Sequence, residues 1–151
     1  MANPVTAWRD AEKLVFDRIC TKTKTKLGKD AFRGRLPPGV FNAWALWSGG
    51  GPGEQTRGGC FGTLIVNAVI EARYMTRDDA MDFCGTVEVL LNETTNFYHI
   101  KNVQWFRLAP GGMPRVEDAA FTPSNGKPER LLLCYEASIG CELIYNTSTE
   151  Y

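Results

Sequence analysis

Eight consecutive odd-numbered positions near the C-terminus, Leu131, Leu133, Tyr135, Ala137, Ile139, Cys141, Leu143 and Tyr145, are apolar or aromatic. The positions between them, Leu132, Cys134, Glu136, Ser138, Gly140, Glu142 and Ile144, are polar through the middle of the run. Side chains of a β-strand alternate between two faces, so a period of two kept this long specifies a strand and its register together. The chain must therefore build a sheet with one well-covered face and one less covered. At ~3.4 Å per residue the run extends about 50 Å, more than a small domain ordinarily uses. Either Ser138 to Gly140 bends or bulges it, or its outer portion projects against a neighbour.

The remaining elements follow from punctuation and periodicity. Asn3-Pro4 suits a helix start, and Trp8, Ala11, Val15 and Ile19 recur at helical steps, which predicts a helix to about Cys20. Leu36-Pro37-Pro38-Gly39 breaks the chain before a first strand, Val40 to Ser48, and Phe61 to Tyr74 alternates as a second. Thr76 caps a second helix, Asp78 and Asp79 sit at the positive end of its dipole, and Ala80, Phe83, Cys84, Val87, Leu90 and Leu91 form its core stripe. His99 to Leu108 reads as a third strand. Ala109 to Pro128 shows no periodicity, and irregular stretches of that length tend to be functional or ordered by a partner.

The fold class expected is α+β: one domain over residues 1–151, in the order helix, strand, strand, helix, strand, strand. The four strands form an antiparallel sheet, both helices pack on one face, and the last strand is long.

No sequence constellation points to catalysis, and the chain reads as a non-enzyme without cofactor or metal. The single histidine, His99, has no partner at zinc-site spacing, and the five cysteines form no Cys-x-x-Cys pair, so buried free thiols are expected. The glycine-rich connection Gly49–Gly59 lacks the Gly-Lys-Ser/Thr ending of a phosphate loop and joins two strands. Glu136 and Glu142, six residues apart on one strand face, stand ~20 Å apart, too far for a cooperating carboxylate pair. Glu71 is a candidate to approach either across the sheet. Asp78 and Asp79 are explained by the helix N-terminus they occupy.

Charge and hydropathy narrow the partners. Seventeen basic residues balance seventeen acidic ones, and 44% of residues are hydrophobic. With a pI of about 6.6, the whole molecule is not drawn to nucleic acid or acidic membranes. No apolar run approaches the roughly 18 residues needed to span a bilayer, and the polar Met1–Thr6 is unlike a secretory signal, so folding in a cytoplasm is expected. The local exception is Thr21 to Arg35, where Lys22, Lys24, Lys26, Lys29, Arg33 and Arg35 face one acid, Asp30. Such a segment is a solvated loop, a contact for an acidic partner surface, or a nucleic-acid patch. The last use wants interleaved aromatics, and only Phe32 is present.

The pattern resembles the tail terminator (tail completion) proteins of tailed bacteriophages. The residues that carry the likeness are the helix around Trp8 to Ile19, the Leu36–Gly39 lead into a strand, and strand Leu64–Tyr74 turning directly into helix Thr76–Leu91. Strand Val103–Leu108, the long loop and the terminal strand Arg130–Tyr145 complete it. The likeness is one of order and patterning over nearly the whole chain. It implies a structural virion protein assembled in the host cytoplasm, forming a ring, typically of six copies. The ring would cap the tail tube, stop its polymerisation and offer a surface to the head–tail connector. Its partners would be further copies, the tail tube protein and the connector protein, with DNA passing through the lumen without specific binding and no membrane. The related alternative is a tail-tube or connector ring subunit, and the distant one a nucleic-acid-binding domain using Thr21–Arg35. On this reading the interface candidates are Lys22, Lys24, Lys26, Arg33, Arg35, Gly50, Gly51, Arg57, Gly111, Gly112, Met113, Arg115, Glu136 and Glu142, with Gly49–Gly59 and Ala109–Pro128 at subunit contacts.

Overall fold

The terminal strand does become the organiser of the sheet. In the computed structural model, which describes residues 6–49, 63–93, 97, 100–121 and 132–146, it spans Leu132–Asn146. In chain order the elements are α1 (Ala7–Thr23), β1 (Ala31–Arg33), β2 (Ala43–Ser48), β3 (Thr63–Tyr74), α2 (Arg77–Asn92), β4 (Val103–Leu108), β5 (Arg115–Phe121) and β6 (Leu132–Asn146). Among the described residues the class is α+β, with helices α1 and α2 and a mixed sheet of six strands. This corrects the expectation of four antiparallel strands. β1 and β5 are additional, and β1 runs parallel to β2.

The sheet order is β1-β2-β3-β6-β4, with β5 also on β6. β6 pairs antiparallel with β3 from Tyr135 to Asn146 along one edge. Its other edge is shared by two short strands lying end to end, β4 against Cys141–Tyr145 and β5 against Leu132–Ser138. Six residues, 109–114, stand between β4 and β5 opposite only Ile139 and Gly140. They form a turn closed by Gly112 N–H to the Ala109 carbonyl at 2.8 Å, with Pro110 and then Gly111 at φ 75° inside it. Proline followed by a positive-φ glycine is the signature of a type II turn. The ladder continues through this turn: Ala109 donates to the Gly140 carbonyl and Gly140 donates to that of Gly112, both at 3.0 Å. The irregularity expected at Ser138–Gly140 thus resides in the facing strand, while β6 runs through.

Register divides the sheet faces. Trp44, Leu46, Val66, Ala68, Ile70, Ala72, Ala137, Ile139, Cys141, Leu143 and Tyr145 share the helix-covered face and are buried there. α1 contributes Ala7, Ala11, Val15, Phe16 and Ile19, and α2 its whole expected stripe. Trp44 is the pivot, 5.1 Å from Phe16 and 6.3 Å from Phe83 between ring centroids. A register shift between Val103 and Trp105 reverses parity, so that Val103 and Phe106 both turn inward and Trp105 outward. Such a bulge adds one residue and swaps the face of all that follow. The odd-position pattern of β6 holds only where helices cover it. Leu133 is 53% exposed, while Cys134, on the other face, is buried.

Helix boundaries shift modestly. The Thr76 hydroxyl accepts from Asp79 N–H at 3.2 Å, the cap expected from sequence. α1 begins at Ala7 and runs past Cys20 to Thr23, and the expected Asn3-Pro4 start lies outside the described residues. Trp8 belongs to the edge of the helix, not its buried stripe, and its indole donates to Ser48 Oγ at 2.7 Å.

Candidate interaction surfaces

The face of the sheet away from the helices carries Glu71, Arg73, Glu136, Ser138 and Glu142, with Arg107, Arg115 and Glu117 from the edge strands. Part of it is roofed by the β1–β2 connection, residues 34–42. Two residues of β3 clamp that strap. Glu71 accepts from Leu36 N–H at 2.7 Å and from Arg35 Nε at 3.3 Å. The Arg73 guanidinium donates to the carbonyls of Pro37 and Val40 at 3.2 and 3.1 Å, lies over the Phe41 ring, and reaches Glu136 at 3.4 Å. Beneath the strap Leu36, Ala43 and Ala45 form a small second core, with Phe32 and Val40 packed against it. The clamp therefore ties charged and apolar burial together, and a half-open cleft remains beside it, lined by Arg35, Glu71, Arg73, Glu117, Glu136 and Ser138.

This cleft gathers Glu71, Glu117 and Glu136. Glu71 and Glu136 are committed to guanidinium groups, and Glu142 pairs with Arg107 at 3.0 Å. Glu71 stands opposite Ser138, and its carboxylate goes to the strap, not to Glu136 or Glu142. Glu117 lies directly across from Glu136, a like-charge pair that Arg73 offsets from one side. His99 lies outside the described residues, and among the described residues no group of three or more potential ligands could hold a metal ion. Cys20, Cys84, Cys134 and Cys141 are free thiols, while Cys60 lies outside the described residues. Burial raises the pKa of each of the four, that of Cys141 to about 12, which suppresses the nucleophilic thiolate.

The basic segment does not stay together as its sequence suggests. β1 ends at Arg33 and the chain turns at Gly34 (φ 97°), so Arg33 faces α1 while Arg35 lies in the strap on the other side of the sheet, and both are paired. Arg33 bonds Glu12 at 3.2 Å and the Arg9 carbonyl at 3.3 Å, while Arg35 meets Glu71 and lies 5.0 Å over the Trp47 ring. What remains outward is a knob at the end of α1: Lys22, Lys24, Lys26 and Lys29, all exposed, around Leu27, which is 66% exposed. Lys24 ends the helix in the left-handed region at φ 57°, and lysines here complement the negative end of the helix dipole. Asp30 is the only acid in the turn, and its carboxylate accepts from Lys26 N–H at 2.6 Å.

Other candidates fall in three places. Gly111, Gly112 and Met113 belong to the β4–β5 turn, with Met113 75% exposed, and Arg115 is exposed on β5 opposite Ser138. Glu136 and Glu142 share the open face, as alternation required. Gly50, Gly51 and Arg57 lie outside the described residues. The stretch 109–128 is not a structureless loop, since residues 115–121 form β5 and residues beyond are outside the described set.

A surface that charge counting over the whole chain conceals is the outward face of α2. Between Thr76 and Glu93 there are five acids and one base, a net of −4, whereas residues 6–35 carry nine bases and four acids, a net of +5. The zero total hides a strongly polarised molecule. In the middle of that acidic face Gly85 is exposed, with nothing within 4 Å of where a Cβ would stand. A helix-interior glycine costs roughly 0.5–1 kcal/mol relative to alanine. No known protein-family pattern matches the sequence, and no curated protein matches it.

Proposed function

We propose that this chain is a structural subunit of a phage tail of the tail-terminator kind. Copies form a ring that caps the tail tube, stops its growth and gives the head connector its seat, with DNA passing through unbound. The observation that supports this most is the arrangement of elements. A first helix, three strands of which β2 and β3 pair antiparallel, a second helix on the same face and a final 15-residue strand through the sheet resemble the order expected of that family. The exposed apolar residues Leu27, Met81, Val89, Met113 and Leu133 add surfaces suited to neighbours. In the cleft Glu71 holds the strap directly and Glu136 pairs with Arg73, which also holds it, an arrangement that suits a scaffold.

A nucleic-acid reading draws support from the lysine knob. It is weakened by Phe32, the one aromatic in the segment, which packs against the small core under the strap. The test is to mix the purified chain with isolated tail tubes lacking their terminators and image the ends. The expected result is rings seated at one tube end, of a mass that is a multiple of the 16.8 kDa chain. Bare tube ends with a chain that stays monomeric would overturn the proposal. Retention on DNA that falls steeply with salt would favour the second reading.

A further inference from the structure

We propose that copies of this chain associate head to tail, the lysine knob of one docking on the acidic face of α2 of the next. The proposal takes from the ring reading only the premise that copies associate, and it names the two surfaces that meet.

Each surface has exposed apolar residues among charges, and the charges of the two are opposite in sign. The knob presents Leu27, 66% exposed, among Lys22, Lys26 and Lys29. On α2, Gly85 leaves a notch. Its neighbours one helical turn away are Met81 and Val89 at four residues and Asp82 and Glu88 at three, the spacings that adjoin on a helix surface. Met81 is 45% exposed and Val89 58%. A protruding leucine ringed by lysines fits a glycine notch walled by Met81 and Val89 and rimmed by Asp82 and Glu88. Nothing inside the fold requires a glycine there, because an added Cβ meets open space.

The charges involved form no ion pair among the described residues. Arg33, Arg35, Arg73 and Arg107 all form ion pairs, whereas Lys22, Lys26, Lys29, Asp82 and Glu88 take part in none among the described residues. The knob leads directly into β1 at one edge of the sheet, while α2 packs over its middle, on β6 and β3 and then on β4 and β5. Two different patches make a heterologous contact, which closes into a ring or runs on as a filament.

Sedimentation of the full chain tests this. The wild type is expected to assemble at low salt and to dissociate as salt rises, because exposed charges are screened. A knob-reversed variant (Lys22→Glu, Lys26→Glu, Lys29→Glu) and a face-reversed variant (Asp82→Lys, Glu88→Lys) should each be folded monomers. Their equimolar mixture should recover the wild-type mass, since each knob then meets a face of opposite sign. Gly85→Leu should abolish assembly while the melting temperature stays at or above that of the wild type, separating a filled notch from a damaged helix. A wild type monomeric at every salt, an assembly unchanged by both reversals, or a mixture that stays monomeric would overturn the contact. So would loss of DNA retention in the knob-reversed variant with the assembly intact, which assigns the knob to nucleic acid. Assemblies that obey the charge swap yet never seat on tail tubes would overturn the tail reading alone. Rings on tubes indifferent to the swap would overturn this contact alone.

Discussion

Replacing Gly112 by alanine is expected to be among the most damaging single-methyl changes the chain can suffer. Gly112 lies face to face with Gly140 where the β4–β5 turn crosses β6. A Cβ at 112 would stand 2.7 Å from the Gly140 carbonyl carbon and 2.9 Å from its Cα, and would overlap the carbonyl oxygen. All three atoms are backbone of a strand paired on both edges, so the strain cannot be relieved by rotating a side chain. The turn must lift, which removes the two 3.0 Å ladder bonds that join Ala109 and Gly112 to Gly140. At about 1 kcal/mol for each bond and a further 1–2 for the stranded groups and the packing lost, destabilisation should reach about 2–4 kcal/mol. Urea unfolding should show this as a lower midpoint at unchanged slope. Two controls set the scale. Gly111→Ala meets nothing within 4 Å and suffers only its φ of 75°, for about 1–2 kcal/mol. Gly140→Ala places its Cβ 3.0 Å from Gly112 Cα and needs only a small shift, so it should cost less than Gly112→Ala. A Gly112→Ala protein within about 0.5 kcal/mol of wild type, or one less affected than Gly140→Ala, would refute the close crossing.

Arg73→Ala should free the strap, because the Pro37 and Val40 carbonyls and Glu136 all lose their donor; a loss of about 2–3 kcal/mol and new proteolytic cleavage within residues 34–42 are expected. Glu71→Gln should be milder than Glu71→Ala in the same assays, since an amide oxygen still accepts from Leu36 N–H. Thr76→Ala removes the α2 cap and should cost about 1 kcal/mol in thermal or urea unfolding. Burial raises the folded pKa of Cys141 from 9.0 and of Tyr74 from 10.0, each to about 12. The unfolded chain therefore releases these protons first, and stability should fall as pH rises from about 9 toward 12, with the full contribution present below 9. Unfolding midpoints flat across that window would contradict the burial of both groups.

What the sequence disclosed depended on how many residues repeat a period. β6 and α2 repeat theirs over more than ten residues, and both their faces and their ends were readable, down to the Thr76 cap. β1 has three residues, too few for any period, and its parallel pairing with β2 is set by the strap that returns over the sheet. β5, Arg-Val-Glu-Asp-Ala-Ala-Phe, has little intrinsic strand preference. It becomes a strand because the first half of β6 presents unpaired donors and acceptors along that edge, a case of context overriding propensity. The same logic governs where the candidate interface residues fall. Glu136 and Glu142 were correctly set on one face because two-residue alternation is local. Arg33 and Arg35 stand with the lysines in sequence, yet the strand ends at Arg33 and the positive-φ turn at Gly34 carries Arg35 to the other side of the sheet. The Gly85 notch had a signal that went unused: a glycine on the polar side of an otherwise clean helical stripe, without a turn to justify it.

The length of β6, which on the sequence alone argued for a neighbour, is largely used within the chain. Two short strands sit end to end on one of its edges, and β3 fills the other as far as Tyr135. Only its first residues, where Leu133 is exposed, reach past that ladder. The distribution of charge, more than strand length, favours assembly. On the proposed association, a chain of net zero charge would add no repulsion as copies accumulate, while a +5 segment and a −4 helix on the same chain would orient each arriving copy. These two properties have opposite salt signatures. Association driven by apolar burial strengthens with added sulfate, because burial is reinforced. Association oriented by the separated charges weakens already at moderate sodium chloride. Salt dependence measured before any mutation therefore decides whether polarity or apolar area brings the copies together.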